Sequence, residues 1–169
     1  MDLRDFIELC EKEGELQRIK PEVDWNLELS HIAKINEEKE GPALLFEKVK
    51  GYESPVFTSA FTTVRRLAIA LGQPLDKPIS ELSRSWMEAI TSKLIPPRVV
   101  QSGPVQENIL EGDKIKLLNF PVPKFYPMDG GRFIGTAVAL LSKDPDSDWF
   151  NLGTYRMQVL DDNSVGVQI

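Results

Sequence analysis

Apolar residues recur at roughly helical spacing from the start of the chain, at Leu3, Phe6, Ile7, Leu9 and Cys10. This predicts a helix stopped by Gly14 in the left-handed position after its last turn. The alternating run Glu15-Leu16-Gln17-Arg18-Ile19 predicts a short strand ended by Pro21. A second helix is expected from about Asn26 to Asn36, with Leu27, Ile32 and Ile35 on its apolar side and Glu37-Glu38-Lys39-Glu40 as a solvated tail. Gly41-Pro42 is a turn, and Ala43-Leu44-Leu45-Phe46 has the look of a buried strand. Lys48 and Lys50 flank Val49 ahead of a Gly51-Tyr52 turn, and Val56 to Phe61 is a second strand rich in β-formers. Thr63 is placed to cap a helix from Val64 to Leu71 that Gly72 ends. Another helix opens at Pro78, with Leu82, Trp86, Met87 and Ile90 as an apolar stripe, read as core. Pro96-Pro97 breaks that pattern. Val99-Val100 and Val105 frame an expected strand with a Ser102-Gly103-Pro104 turn.

The last third has a different texture. Pro121, Pro123 and Pro127 alternate with Phe120, Phe125 and Tyr126, which suits an extended surface loop. Asp129-Gly130-Gly131-Arg132 is a tight turn. Phe133 to Leu141 is the best strand pattern in the chain, with Gly135-Thr136 leaving space and a hydroxyl within it. A polar turn at Lys143 to Asp148, the stretch Trp149 to Leu160, a turn at Asp161-Asp162-Asn163, and Val165 to Ile169 complete an expected three-stranded antiparallel meander. The fold class is therefore α/β in the α+β sense. The division falls between Pro104 and Asp113, giving a mixed α/β domain over 1–108 and the start of a second domain over 109–169 that is incomplete. A sheet ending on a bare strand leaves a row of unpaired backbone groups, so the chain reads as part of a longer protein or as half of an assembly.

Composition narrows the function more than the fold. A net charge of −6 argues against a nucleic-acid or anionic-membrane surface. No apolar run approaches the roughly 20 residues of a membrane span, and the charged N-terminus has no export signal core. The single cysteine, Cys10, rules out an internal disulfide and fits a reducing cytoplasm, as a buried structural thiol rather than a nucleophile. His31, the one histidine, is read as a surface or half-buried residue. Arg65-Arg66 stand against the dipole of their helix, and a solvated face is preferred to an anion or carboxylate partner. There is no repeat, zinc spacing, phosphate loop or dinucleotide fingerprint.

The stretch Trp149-Phe150-Asn151-Leu152-Gly153-Thr154-Tyr155-Arg156-Met157-Gln158 carries the candidate chemistry. Asn151 offers a neutral oxygen to a hard cation. Gly153 permits close approach to the backbone. Arg156 offers a rigid fork of donors for phosphate or carboxylate. In a straight strand residues five apart face opposite ways, so Asn151 and Arg156 share one pocket only if the chain bends, most readily at Gly153. Spacing alone favours a plainer reading, an edge strand with a solvated Arg and a turn Asn.

The run Asn151 to Gln158 resembles the metal- and cofactor-binding signature of the UbiD-type decarboxylases, which use prenylated flavin mononucleotide. The resemblance extends to Leu3-Arg4-Asp5-Phe6-Ile7 with Gly14-Glu15-Leu16, to Gly41 through Phe46, to Arg66-Leu67-Ala68 with Leu71-Gly72, and to Leu117 through Pro123 with Asp129-Gly130-Gly131. It implies a mixed N-terminal domain followed by the first antiparallel strands of a split β-barrel flavin-binding domain, with oligomerisation through a further C-terminal domain. It implies that Asn151 supplies one ligand to Mn2+ or Mg2+ bridging to the flavin phosphate, and that the backbone of Trp149 lines a K+ site. Thr154, Tyr155 and Arg156 would contact the cofactor, Thr136 would sit at the flavin edge, and Gln168 and Ile169 would begin the next cofactor-binding segment. Arg156 would also join a catalytic Glu-Arg-Glu network whose carboxylates, like the remaining metal ligands, lie past Ile169.

The resemblance thus implies the N-terminal part of a reversible, non-oxidative carboxy-lyase. Its substrates would be small aromatic or α,β-unsaturated carboxylic acids, with a flavin prenyltransferase as cofactor supplier. The chain alone would be inactive, since one Asn and one Arg cannot replace the roughly six oxygens a hard cation takes. Two alternatives stay open. One is a small assembly or binding subunit that pairs with another chain through its last strand. The other is an FMN-binding module without catalysis of its own.

Overall fold

The computed structural model describes residues 1–168 apart from Lys93, Leu94, Pro97 and Ala137. Helix α1 spans Leu3–Lys12. Its start is fixed by a capping box: the Asp2 carboxylate accepts from the Arg4 and Asp5 amides, and Asp5 accepts from the Asp2 amide at 2.9 Å. Gly14 then takes a φ of +71°, as the terminator role requires. Strand β1, Leu16–Val23, runs straight through Pro21 instead of stopping there. The strand order β1-β2-β3 makes β1 an edge, where a missing amide proton is tolerated. Helix α2 is Glu28–Glu38, and strand β2 is Ala43–Val49 with its first four residues buried. The Ala43 amide bonds the Glu15 carbonyl and the Lys50 amide bonds the Val23 carbonyl. Starts and ends therefore match, so β1 and β2 run parallel with α2 as the crossover.

Strand β3 is only Val56–Thr58, and helix α3 is Val64–Ala70 with Thr63 as its cap. Helix α4 is Ile79–Ser92. The second half of the chain holds β4 (Arg132–Gly135), β5 (Leu140–Lys143), β6 (Phe150–Gly153), β7 (Met157–Val159) and β8 (Val165–Val167). Among the described residues these form two antiparallel sheets, β4-β7-β8 and β5-β6, and neither is a closed barrel. Fold class is as expected, but the simple meander is not. The long strand predicted from Phe133 to Leu141 breaks after Gly135, and its two halves join different sheets. The register of β4 on β7 also slips between Phe133 and Gly135, a bulge that re-aims the strand.

The chain divides into two compact units that interleave along the sequence. One comprises Met1–Ile19, Ile35–Leu45 and Phe57–Leu110, the other Lys20–Lys34, Phe46–Val56 and Glu111–Ile169. In the first unit Phe6, Cys10 and Ile69 form a core with Leu16, Phe57, Ala60, Ala70 and Leu75 around it. Phe6 meets Phe57 edge-on at 6.1 Å, a favoured aromatic geometry. Cys10 is fully buried, and burial pushes its thiol up despite the opposing pull of Arg66, as a structural thiol requires.

Four expectations fail in instructive ways. Helix α2 buries Leu29, Ser30 and Ala33, while Ile35 is exposed. Helix α4 buries only Leu82 of its apolar stripe, leaving Trp86, Met87 and Ile90 exposed. Val99, Val100 and Val105 are exposed and form no strand; Pro104–Gln106 is instead one 3-10 turn. Arg66 is not solvated but wholly buried, on Glu15. His31 is exposed, as expected.

Candidate functional site

Strands β5 and β6 pair with Leu140 opposite Gly153 and Ser142 opposite Asn151. The alternation puts Leu140, Ser142, Asn151 and Gly153 on a half-buried face, and Leu141, Lys143, Phe150 and Leu152 on an exposed one. The connecting turn is held by Asp144, whose carboxylate accepts the Asp146 amide at 2.9 Å and the Ser147 hydroxyl at 3.0 Å. Those bonds, the amide first, keep its carboxyl below the usual aspartate range. The same turn engages Trp149, whose carbonyl accepts the Asp144 amide at 3.0 Å while its side chain stays exposed.

Strand β6 ends at Gly153, and residues 154–156 are irregular before β7 begins in the other sheet. The chain therefore leaves the strand at the glycine. The reason is local. A Cβ on Gly153 would stand 2.7 Å from the Tyr155 hydroxyl and collide with the ring. Only glycine leaves room for Tyr155 to fold back over the strand end. In that position the tyrosine hydroxyl accepts from the Asn151 side-chain nitrogen at 3.1 Å.

Arg156 is exposed, and its guanidinium lies 5.3 Å from the centre of the Phe133 ring. Phe133 pairs with Gln158 across β4 and β7. Gln158 packs under the Gly130-Gly131 turn, where a Cβ on Gly131 would come within 2.8 Å of its side-chain nitrogen. Thr136, Thr154 and Gln168 are exposed. Ile169 lies outside the described residues. The structure thus joins Asn151 to Tyr155 directly and sets Arg156 on Phe133, which the sequence reading had not singled out.

Arg132 was also missed. It sits 4.0 Å over the Trp25 ring and donates to the carbonyls of Val122 at 2.6 Å and Phe120 at 3.2 Å, and to the Tyr52 hydroxyl at 2.7 Å. It is the clasp of the proline-rich loop. Its place directly after two glycines in a turn was the available signal. Nearby in the same unit, a cavity of about 380 Å³ is lined by Gly51, Tyr52, Glu53, Ser54, Leu118 and Asn119. None of these belongs to the predicted site.

The donor set decides how far a metal fits. Among the described residues no group of three His, Cys, Asp or Glu side chains is placed to hold an ion. Asn151 fits as one oxygen of a hard-cation shell and cannot fill it.

Comparison with known proteins decides the family. Residues 7–86 match the 3-octaprenyl-4-hydroxybenzoate carboxy-lyase N-terminal domain, and residues 98–169 match the Rift-related domain of the same enzymes. The chain belongs to the UbiD family. An uncharacterized protein of Archaeoglobus fulgidus is 38% identical over 181 residues, covering 98% of this chain and 37% of the relative. The UbiD fold is matched by vanillic acid decarboxylase of Sedimentibacter hydroxybenzoicus in its open form, with a TM-score of 0.89 and 31% identity over 99% of this chain and 36% of that one. An evolved dimeric form of the UbiD-class enzyme HmfF from Pelotomaculum thermopropionicum, solved with prFMN, gives a TM-score of 0.84 and 32% identity over 99% and 38%. The chain therefore spans a little over a third of these UbiD relatives. No described helix is long and apolar enough to cross a membrane.

Proposed function

We propose that this chain contributes the N-terminal domain and the first cofactor-binding strands of a reversible non-oxidative decarboxylase. Its substrates are small aromatic or α,β-unsaturated carboxylic acids, its cofactor prenylated FMN with Mn2+ or Mg2+, and K+ binds near the Trp149 backbone. The observation that carries the reading is the β6–β7 junction. One short stretch joins Asn151 to Tyr155 and leaves the Arg156 guanidinium exposed, with Gly153 making room for the tyrosine ring.

In this reading the flavin, when bound, supplies the electron sink for loss of carbon dioxide. Asn151 gives one oxygen to the divalent ion. Arg156 holds a carboxylate or phosphate with its fork and favours the charged state of the acids it meets. Thr136, Thr154, Tyr155, Gln168 and Ile169 complete the chain's share of the cofactor contacts. The protein is cytoplasmic and a homo-oligomer, and a flavin prenyltransferase supplies its cofactor. Carboxylates beyond these residues complete the proton transfers, so the 169 residues alone are inactive.

The test is the intact mass and visible spectrum of the protein isolated from its natural source. A polypeptide near three times this length with flavin absorbance, releasing carbon dioxide from aromatic acids, is the expected result. A chain of this length with no chromophore and no companion polypeptide would overturn it.

A further inference from the structure

We infer that Phe133 is a positioning residue for Arg156: its ring is the platform that holds the guanidinium in one place while leaving the N–H donors to an anionic ligand. The inference rests on the reading of Arg156 as the fork that holds a carboxylate or phosphate, and it adds a residue which that reading does not name.

Arg132 opposite Val159 and Phe133 opposite Gln158 set a regular antiparallel register, in which Gly135 would face Arg156. The slip after Phe133 pairs Gly135 with Met157 instead. On its other side β7 also begins its pairing at Met157, with Val167. Arg156 therefore lies just outside both ladders, and pleating does not aim its side chain. Bulges recur beside active sites, where they re-aim a side chain in this way. What meets the guanidinium is the Phe133 ring, 5.3 Å away at its centre. The ring is itself fixed. Phe133 is half-buried, and its amide donates to the Pro123 carbonyl at 3.1 Å. Gln158, opposite it, is wedged against Gly130 and Gly131, where a Cβ would stand 3.2 Å from its side-chain oxygen and 2.8 Å from its nitrogen. An aromatic support suits the task better than a carboxylate. A carboxylate would take two donors of the fork, whereas a π-face attracts the charge and leaves the N–H groups for a ligand. Arg156 is exposed, so a ligand can reach them. Neighbouring residues of β4 thus divide two tasks: Arg132 clasps the proline-rich loop, and Phe133 supports Arg156.

The first test uses the isotopically labelled chain and needs no ligand. In the wild type the Arg156 Nε–Hε and δ-methylene signals should carry a ring-current shift. Phe133→Leu should move them to the positions of exposed arginines, and Phe133→Tyr should keep them in place. Phe133→Met repeats the ringless reading if the leucine variant loses the dispersed signals of a folded chain. In the decarboxylase proposed above, Phe133→Leu should lower activity on an aromatic acid by about 2–5-fold, the worth of an exposed ring–cation contact. Phe133→Tyr should restore it, and the loss should fall on the same parameter, kcat or KM, as that of Arg156→Lys. Arg156 signals that stay in place in the ringless variants would overturn the platform and leave the decarboxylase reading intact. So would a Phe133→Leu enzyme of full activity beside an Arg156→Lys enzyme that has lost it. An Arg156→Lys enzyme of full activity would bring down the reading of Arg156 itself, and the positioning role with it.

Discussion

Nη1 of Arg66 lies 3.0 Å from the Glu15 carboxylate, and the arginine side chain is completely buried. The rest of its fork is used as well. Nε donates to the Ser59 carbonyl at 3.1 Å, and Nη2 donates to the Gly41 carbonyl at 2.9 Å and to the Thr62 hydroxyl. One guanidinium thus ties the start of β1, the turn before β2 and the loop before α3 within a single unit. Ser59 sits in the left-handed region at φ +61°, a conformation uncommon for serine that such a tie helps to hold.

Arg65 pairs with the other oxygen of the same carboxylate, at 2.5 Å, but is half exposed. The two neighbours should therefore differ sharply. Arg66→Met leaves one oxygen of the mostly buried Glu15 carboxylate and the Gly41 carbonyl without the donors Arg66 gave them, and should cost about 3–5 kcal/mol. Arg66→Lys should recover little, because an ammonium cannot span four acceptors. Arg65→Ala should cost less than about 1 kcal/mol. Urea unfolding of the three variants checks this; equal losses at 65 and 66 would contradict it.

A second ion pair sets a pH window. Asp24 accepts the Asn26 amide at 2.8 Å and the Lys50 ammonium at 2.9 Å. The amide first, and then Lys50, hold its carboxyl below the usual range; Asp24 in turn raises the Lys50 ammonium. A depressed carboxyl contributes stability that is full above its unfolded pKa and is lost as pH falls through the folded value. A raised ammonium contributes stability that is full below its unfolded pKa and is lost as pH rises through the folded value. Asp24→Asn should therefore flatten the fall in Tm on acidification below about pH 4 and also the fall above about pH 10. Thermal scans across pH would show the flattening at both ends. A change at neither end would remove the pair from the stability account.

Much of the first unit could be read in the sequence, because its signals are local. Thr63 caps α3, and Gly14 and Gly72 follow α1 and α3 with positive φ. Ala43 to Phe46 is buried as a continuous apolar run should be. What could not be read depends on partners far along the chain. Nothing near Arg66 announces Glu15, so the local pattern favours a solvated face where the fold buries an ion pair. The stripe Trp86-Met87-Ile90 has core spacing, but periodicity states only that a face is apolar, not that anything covers it. In the second unit, Gly135 is where an unbroken apolar pattern hid a break, because period and hydropathy are blind to a register slip. At the candidate site parity makes a bend only the condition for Asn151 and Arg156 to share a pocket, and the Asn151–Tyr155 bond has no signature in spacing at all.

Arg132 should control the order of the proline-rich loop. Besides its own donors, the loop is tied by the Lys124 amide to the Trp25 carbonyl and by the Phe133 amide to the Pro123 carbonyl, both at 3.1 Å. Arg132→Lys keeps the charge but loses the planar stack on Trp25 and the several directed donors. Hydrogen exchange at Lys124 and Phe133 should quicken by about 10-fold, the equivalent of roughly 1.4 kcal/mol within the range of a desolvated cation–π contact. Unchanged exchange there would mean that the prolines and the backbone bonds hold the loop without Arg132.

Arg156 offers the sharpest separation of fold from function. Its guanidinium is exposed, and its ring neighbour Phe133 lies at 5.3 Å, so the fold gains little from it. Such a weak exposed contact is worth about 0.5–1 kcal/mol. Arg156→Lys should therefore leave Tm nearly unchanged. In the proposed decarboxylase it should still lower turnover by about 100-fold or more, the usual effect of losing one preorganised donor to a charge that develops in the reaction. The loss should fall on kcat with little change in KM if the fork acts on the transition state, and on KM alone if it only gathers the substrate carboxylate. A variant with full activity would remove Arg156 from the chemistry. One that unfolds would show that the guanidinium holds the β6–β7 bend itself, and Phe133→Leu should then destabilise the protein to the same degree.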